Sequence, residues 1–268
     1  MVEFIAMTDS PPLFDTHVHL DHPALREDLA CHVAEANRWG VTRFLLPGVT
    51  DENWDGLLAV TTATRGALAA PGIHPQAAHR WNSSCAERLS RLLERPEVVA
   101  VGEIGLDGYP GLPSMEVQER AFRAQLRLAV AAQRPVIIHC RRALGRLFEI
   151  LKEEEAAQVG GILHAFAGSV ELAQQAVKMN FALGFGGVLT YPNARRAPQI
   201  FRELPAEWLV LETDAPDMAP HPHRGENNRP AWLKLIARRA AELRGWSLEQ
   251  TARITTANAC RILNLDYS

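Results

Sequence analysis

Histidines and carboxylates recur in this chain at the downstream ends of short apolar runs. His17 and His19 close the run Leu13-Phe14-Asp15-Thr16-His17-Val18-His19. Glu103 follows Val98-Val99-Ala100-Val101-Gly102, and His139 follows Pro135-Val136-Ile137-Ile138. His164 follows Gly161-Ile162-Leu163, and Asp214 follows Trp208-Leu209-Val210-Leu211-Glu212-Thr213. Imidazole and carboxylate are the donors that divalent metals take in hydrolytic sites. In an extended segment residues i and i+2 project to one side, so His17 and His19 can hold one ion together. Glu103 has two oxygens and is suited to bridge two ions. In this reading His17 and His19 serve the first ion and His139 and His164 the second, while Asp214 reaches the first ion or its water. Two such ions could stabilise the attacking and leaving oxygens of a displacement at phosphorus. Asp214 is then suited to accept the proton of the attacking water. One such histidine alone is more often structural; burying the whole set without an ion would be costly.

Donors from so many segments must be brought to one place by strand ends. Strand-like runs are expected at Leu13–His19, Arg43–Pro47, Ala67–His74, Val98–Glu103, Val136–His139, Ile162–Phe166, Ala182–Phe185 and Leu209–Asp214. Amphipathic stretches alternate with them at Pro23–Trp39, Asn53–Thr64, Ser84–Glu94, Met115–Gln133, Ala143–Glu155, Val170–Met179, Ala194–Leu204 and Arg229–Leu243. Eight strand–helix units predict an α/β fold, a TIM-type (β/α)8 barrel whose active site lies at the C-terminal strand ends. Ser169 reads as a helix N-cap, and Ser247-Leu248-Glu249-Gln250 as the capping box of an additional C-terminal helix. A last helix is expected near Ala257–Leu263. The even spacing argues for a single domain over residues 1–268, with residues 1–10 outside the barrel and either Met1 or Met7 as the start.

Composition narrows the function classes. The 268 residues are 47% hydrophobic and 22% charged, enough for a large core and against disorder. A net charge of −3 argues against a broad basic surface for gripping duplex nucleic acid. No apolar run is long enough for a transmembrane helix, and the first ten residues do not read as a secretory signal. The four cysteines, Cys31, Cys85, Cys140 and Cys260, form no C-x-x-C pair, which suggests reduced thiols and a cytoplasmic location. No obligate protein partner is evident.

Several blocks in order resemble the TatD-like metal-dependent hydrolases, a branch of the amidohydrolase superfamily. They are Phe14-Asp15-Thr16-His17-Val18-His19, Gly72-Ile73-His74-Pro75, and Val101-Gly102-Glu103-Ile104-Gly105-Leu106-Asp107. The match continues through Gln118, Phe122, Gln125 and Leu126 to His139-Cys140-Arg141 and His164-Ala165-Phe166-Ala167-Gly168-Ser169, then to Gly184–Gly187 and Asn228-Arg229-Pro230. The wording Glu212-Thr213-Asp214-Ala215-Pro216-Asp217-Met218 looks closest to the YjjV-type subgroup. The resemblance implies a barrel with one or two metal ions on His17, His19, Glu103, His139, His164 and Asp214. It also implies a DNase activity of 3′–5′ exonuclease type on single-stranded DNA. Two departures bear on substrate contacts. Gly108-Tyr109-Pro110-Gly111 lacks one aromatic and an arginine common after the Gly-Leu-Asp motif, and Arg224-Gly225-Glu226 replaces Arg-Gly-Lys.

His74, Arg141 and Arg229 are the candidate substrate-binding residues. Asp15 and Asp107 are suited to orient ligands. Tyr191 reads better as packing than as a stacking platform, and Arg224 as solvated surface. By ligand softness the donor set suits zinc, manganese, iron or nickel, whereas the family resemblance points to magnesium. Two other readings stand beside the nuclease: hydrolysis of a small cyclic amide, lactone or phosphoester, and an inactive ligand-binding barrel. Related amidohydrolases often carry a modified lysine where Glu103 stands, which favours the nuclease over the first of these.

Overall fold

The computed structural model describes residues 11–267. Met1, Met7 and the expected extra-barrel segment lie outside the described residues. Eight strands run in chain order: β1 (Leu13–Asp15), β2 (Val41–Pro47), β3 (Ala67–Ala70), β4 (Val101–Asp107), β5 (Val136–Arg141), β6 (Gly161–Leu163), β7 (Phe181–Phe185) and β8 (Leu209–Leu211). All pairings are parallel, in the orders β1-β2-β3 and β4-β5-β6-β7-β8. Backbone bonds join the two ribbons at both seams. Val99 N donates to Ala69 O at 3.0 Å and Gly102 N to Pro71 O at 3.2 Å. Across the other seam Thr16 N donates to Leu211 O at 3.1 Å and Asp214 N to His17 O at 2.8 Å. The result is the expected TIM-type barrel.

Around it lie α1 (Pro23–Arg26), α2 (Leu29–Arg38), α3 (Trp54–Ala63), α4 (Ser83–Leu92), α5 (Met115–Ala131), α6 (Leu144–Glu153), α7 (Val170–Lys178), α8 (Arg196–Glu203), α9 (Leu233–Arg244) and α10 (Leu248–Ile262). The Ser169 hydroxyl caps α7 through Leu172 N, and Ser247 and Gln250 form the capping box of α10. Several boundaries differ from expectation, and β4 runs over Val101–Asp107 rather than Val98–Glu103. The stretch Pro23–Trp39 divides into α1 and α2 at Asp28, a weak helix former here at φ −116°. The segment near Ala257–Leu263 is the end of α10, which no glycine or proline interrupts. Pairing in β1, β3, β6 and β8 stops before the functional residues, so His17, His19, His74, His164 and Asp214 stand on the loops just beyond their strands.

Strand alternation explains how one barrel holds both a dry core and a polar mouth. Phe14, Leu45, Ala70, Ile137, Ile162, Ala182 and Val210 form one buried cluster with Ala259, Cys260, Ile262 and Leu263 of α10. These residues come from seven different strands and meet inside the barrel, closed at its N-terminal end by α10. Two residues further along, the same inward parity gives His139, His164, Gly184 and Glu212. A larger apolar cluster packs the helices onto the outside of the barrel, with Trp54, Phe44, Phe122, Phe181 and Phe201 fully buried.

Candidate metal centre

His17 is fully buried, and among the described residues neither of its ring nitrogens has a hydrogen-bond partner. Its Nε2 lies 3.3 Å from Glu103 Oε2 and 3.6 Å from Asp214 Oδ1. A buried imidazole ringed by carboxylates without a bond to any of them fits a cation shared among them. Three sets of donor atoms lie within 4.8 Å of one another: His17, His19 and Asp214; His17, Glu103 and His164; and His74, Glu103 and His139. Glu103 belongs to two of these sets, so its carboxylate lies between them. The donor chemistry of the six sequence-derived positions therefore fits one or two divalent ions.

The pairing of the histidines differs from expectation. His164 stacks on His17 with ring centroids 3.6 Å apart, whereas His139 faces His74 at 4.3 Å. The cause is a neighbour to which the sequence reading gave no role. Glu212 is fully buried, and its Oε1 lies 3.0 Å from His164 Nδ1 and accepts Ala165 N at 2.6 Å. This carboxylate draws the imidazole toward β8. Its signal in the sequence is parity, since Glu212 stands two residues before Asp214 on one strand end. Gly184 makes room for it: a Cβ there would sit 2.1 Å from Glu212 Oε2.

His139 is held from both sides, with Nδ1 2.8 Å from Glu103 Oε1 and Nε2 3.0 Å from Asp107 Oδ2. Asp107 also accepts from Arg141 Nε and Tyr109 N. Asp15 is fully buried beneath the first donor set and accepts from Thr213 N at 2.8 Å and Thr213 Oγ1 at 2.5 Å. Helix α5 supports two of the loops. Gln125 exchanges bonds with Ile73 N and O, and Gln118 with Asp107 N and O. Asn228 ties the last loop to β8 through Thr213 O and Asp217 O.

Burial dominates the electrostatics. It would raise Glu103, but His17, His74 and the bond from His139 outweigh it and hold the carboxyl well below its ordinary range. Burial lowers His17 and pushes His74 down to about 3, keeping both neutral; His74 Nδ1 accepts Gln76 N, so its Nε2 carries the proton toward the cleft. Burial raises Asp214 against the opposing pull of His164, His17 and His19.

The cleft over these groups has a volume of about 360 Å3 and is lined by His19, His74, Glu103, His139, His164 and Asp214, with Asp21 and His22 at its wall. Asp21 is a lining carboxylate that sequence reasoning missed; its Oδ1 is buried without a hydrogen-bond partner among the described residues. The candidate substrate contacts separate. His74 lines the cleft, with Nε2 3.8 Å from Glu103 Oε1. Arg141 is bound to Asp107 beside His139 and lies over the Tyr109 ring at 4.2 Å, and it is not among the lining residues. Arg229 turns instead toward Glu35 at 3.7 Å and the Trp232 ring at 4.8 Å, and is not among the lining residues. Tyr191 packs as expected, its hydroxyl on Ala219 O and the Arg224 guanidinium over its ring at 4.7 Å.

A parallel eight-stranded barrel with histidines and carboxylates gathered at the C-terminal mouth defines the metal-dependent barrel hydrolases. The family described as TatD related DNase matches residues 14–264. The chain is 37% identical over 254 residues to the uncharacterized metal-dependent hydrolase YabD of Bacillus subtilis, covering 95% of this chain and 100% of YabD. It is 35% identical over 263 residues to the 3′-5′ ssDNA/RNA exonuclease TatD of Pantoea vagans, covering 94% and 100%. The crystal structure of YjjV, a TatD homologue from Escherichia coli, matches with a TM-score of 0.89 at 34% identity, covering 95% of this chain and 98% of that one. The chain belongs to the TatD-related DNase family and is a metal-dependent hydrolase acting on ester bonds.

Proposed function

We propose that this protein is a deoxyribonuclease that cleaves phosphodiester bonds of single-stranded DNA in the 3′–5′ direction. The observation that carries the reading is the carboxylate of Glu103, shared between two sets of imidazoles, one of which shares His17 with the set that holds Asp214. His17, His19, Glu103, His139, His164 and Asp214 would hold one or two divalent ions, drawn from magnesium, zinc, manganese and nickel. When bound, such ions polarise a phosphoryl oxygen and acidify water. Asp214 takes the proton of the attacking water, and its place between His17, His19 and His164 keeps the carboxylate directed into the cleft. His74, which lines the cleft, and Arg141, which shares Asp107 with His139, would donate to phosphate oxygens. Glu212 and Asp107 orient His164 and His139. The activity named for the relative from Pantoea vagans supports the same substrate class. No helix among the described residues is long and apolar enough to cross a membrane. The four free cysteines fit a reducing compartment, and we assign the protein to the cytoplasm.

The test pairs elemental analysis of the purified protein with digestion of 3′- and 5′-labelled single-stranded oligonucleotides. Nucleotide release that stops with chelator and returns with a divalent cation is expected. Asp214→Asn should lower kcat by about 100-fold or more, within the range of general-base contributions. A metal-loaded protein that releases nothing from any oligonucleotide refutes the reading.

A further inference from the structure

A second hollow shares part of a wall with the metal-site cleft. Its volume is about 450 Å3, in the range of small-molecule sites. Its walls include Phe166, Phe185, Val188, Ala194 and Met218, and among the described residues its only charged lining side chains are Arg195 and Arg196, both exposed. The two spaces share their partition. His164 and Asp217 line the cleft, while their chain neighbours Ala165 and Met218 line the hollow. Ala165 is fixed by its bond to Glu212, the carboxylate that also faces His164. The wall between the two spaces is therefore built in part by these two pairs of neighbours.

The lining selects the occupant. Two phenylalanines and aliphatic side chains suit a flat, weakly polar ring, and two guanidiniums at the mouth suit a phosphate attached to that ring. Apart from those arginines, no lining side chain offers a hydrogen-bonding group to read a base edge. We propose that this hollow receives the nucleobase of the nucleotide next to the scissile phosphate, with Arg195 and Arg196 on an adjoining phosphate. The inference rests on the phosphodiester reading above. It makes the enzyme tolerant of base identity but dependent on a base being present.

The experiment compares a single-stranded thymidylate oligomer with an abasic oligomer of equal length, using the metal-loaded full chain. The expected KM is about tenfold or more lower for the thymidylate oligomer. Ala194→Trp, which fills the hollow, should bring the KM ratio to about one. Arg195→Ala with Arg196→Ala should raise both KM values together. If Ala194→Trp loses the circular dichroism of the parent, Ala194→Leu takes its place. Equal KM values in the parent protein, or a ratio that Ala194 variants leave untouched, overturn the proposal. Should neither oligomer be cleaved, the phosphodiester reading fails, and equilibrium dialysis of thymidine 5′-monophosphate decides on the hollow. Binding that weakens about tenfold or more in Ala194→Trp sustains it; absent or unaltered binding overturns it.

Discussion

Glu212→Gln isolates the charge that positions His164. In the parent protein one oxygen, Oε1, meets both His164 Nδ1 at 3.0 Å and Ala165 N at 2.6 Å. Glutamine can keep an oxygen at that place, so the geometry survives and the negative charge is lost. Removing the outer partner of a ligating histidine costs about 10–100-fold in metal affinity or activity. The glutamine variant should fall at the lower end, about tenfold, or about 1.4 kcal/mol. Glu212→Ala removes the oxygen too and should approach 100-fold. The glutamine amide would take the place of Oε2, which is buried without a hydrogen bond. A stranded donor there costs about 1–3 kcal/mol of folding stability, seen as a drop of a few degrees in Tm. The assay is a metal titration followed by tryptophan fluorescence or calorimetry, with kcat/KM on a labelled oligonucleotide and Tm as the control. Metal affinity and kcat/KM both within twofold of the parent in Glu212→Ala would show that this carboxylate does not position His164.

Three further outcomes follow from the described contacts. Adding a divalent ion to chelator-treated protein should raise Tm, since an ion at 100 times its Kd stabilises the folded state by about 2.7 kcal/mol; a Tm that ignores every ion tested contradicts a site in the folded chain. Gln118→Leu should cost about 2–4 kcal/mol in denaturant titration, because it strands Asp107 N and O and the Pro113 carbonyl, which Gln118 now satisfies. Glu154 is held below its ordinary value of 4.5, first by its bond from Arg127 and then by Arg123, against the opposing effect of burial. Its folded value is depressed, so its contribution is present above pH 4.5 and lost as pH falls through the lowered folded value. Glu154→Gln should therefore be about 1 kcal/mol less stable at pH 7, and the two stability curves should converge in acid; a gap that persists at pH 2 rules this out.

Local pattern carried much of this molecule into view. The alternation of inward and outward residues on a strand places His139 above Ile137 and His164 above Ile162, and each relation is visible in the sequence of a single strand end. The helix caps at Ser169 and Ser247 are equally local. The strand limits were less legible, because pairing depends on a neighbour. His19 and Asp214 follow apolar runs but lie where the mouth widens and the ladder has ended. Which histidine faces which was hidden for the same reason. The stack of His17 on His164 is set by Glu212, and no spacing in the sequence couples β6 to β8. Arg229 shows the limit from the other side: its nearness to Asp214 in the chain suggested the cleft, but Glu35 of α2 and Trp232 draw it away.

The seam between β1 and β8 has a consequence for the making of the protein. Thr16, His17 and His19 bond through their backbones to Leu211, Asp214 and Ala215, nearly two hundred residues later. During synthesis the first pair of donors must wait for the last strand to leave the ribosome before either has its final neighbours. A nascent chain therefore carries most of its reactive groups long before they can act together. The donor set of His17, His19 and Asp214 therefore comes together only as the barrel closes.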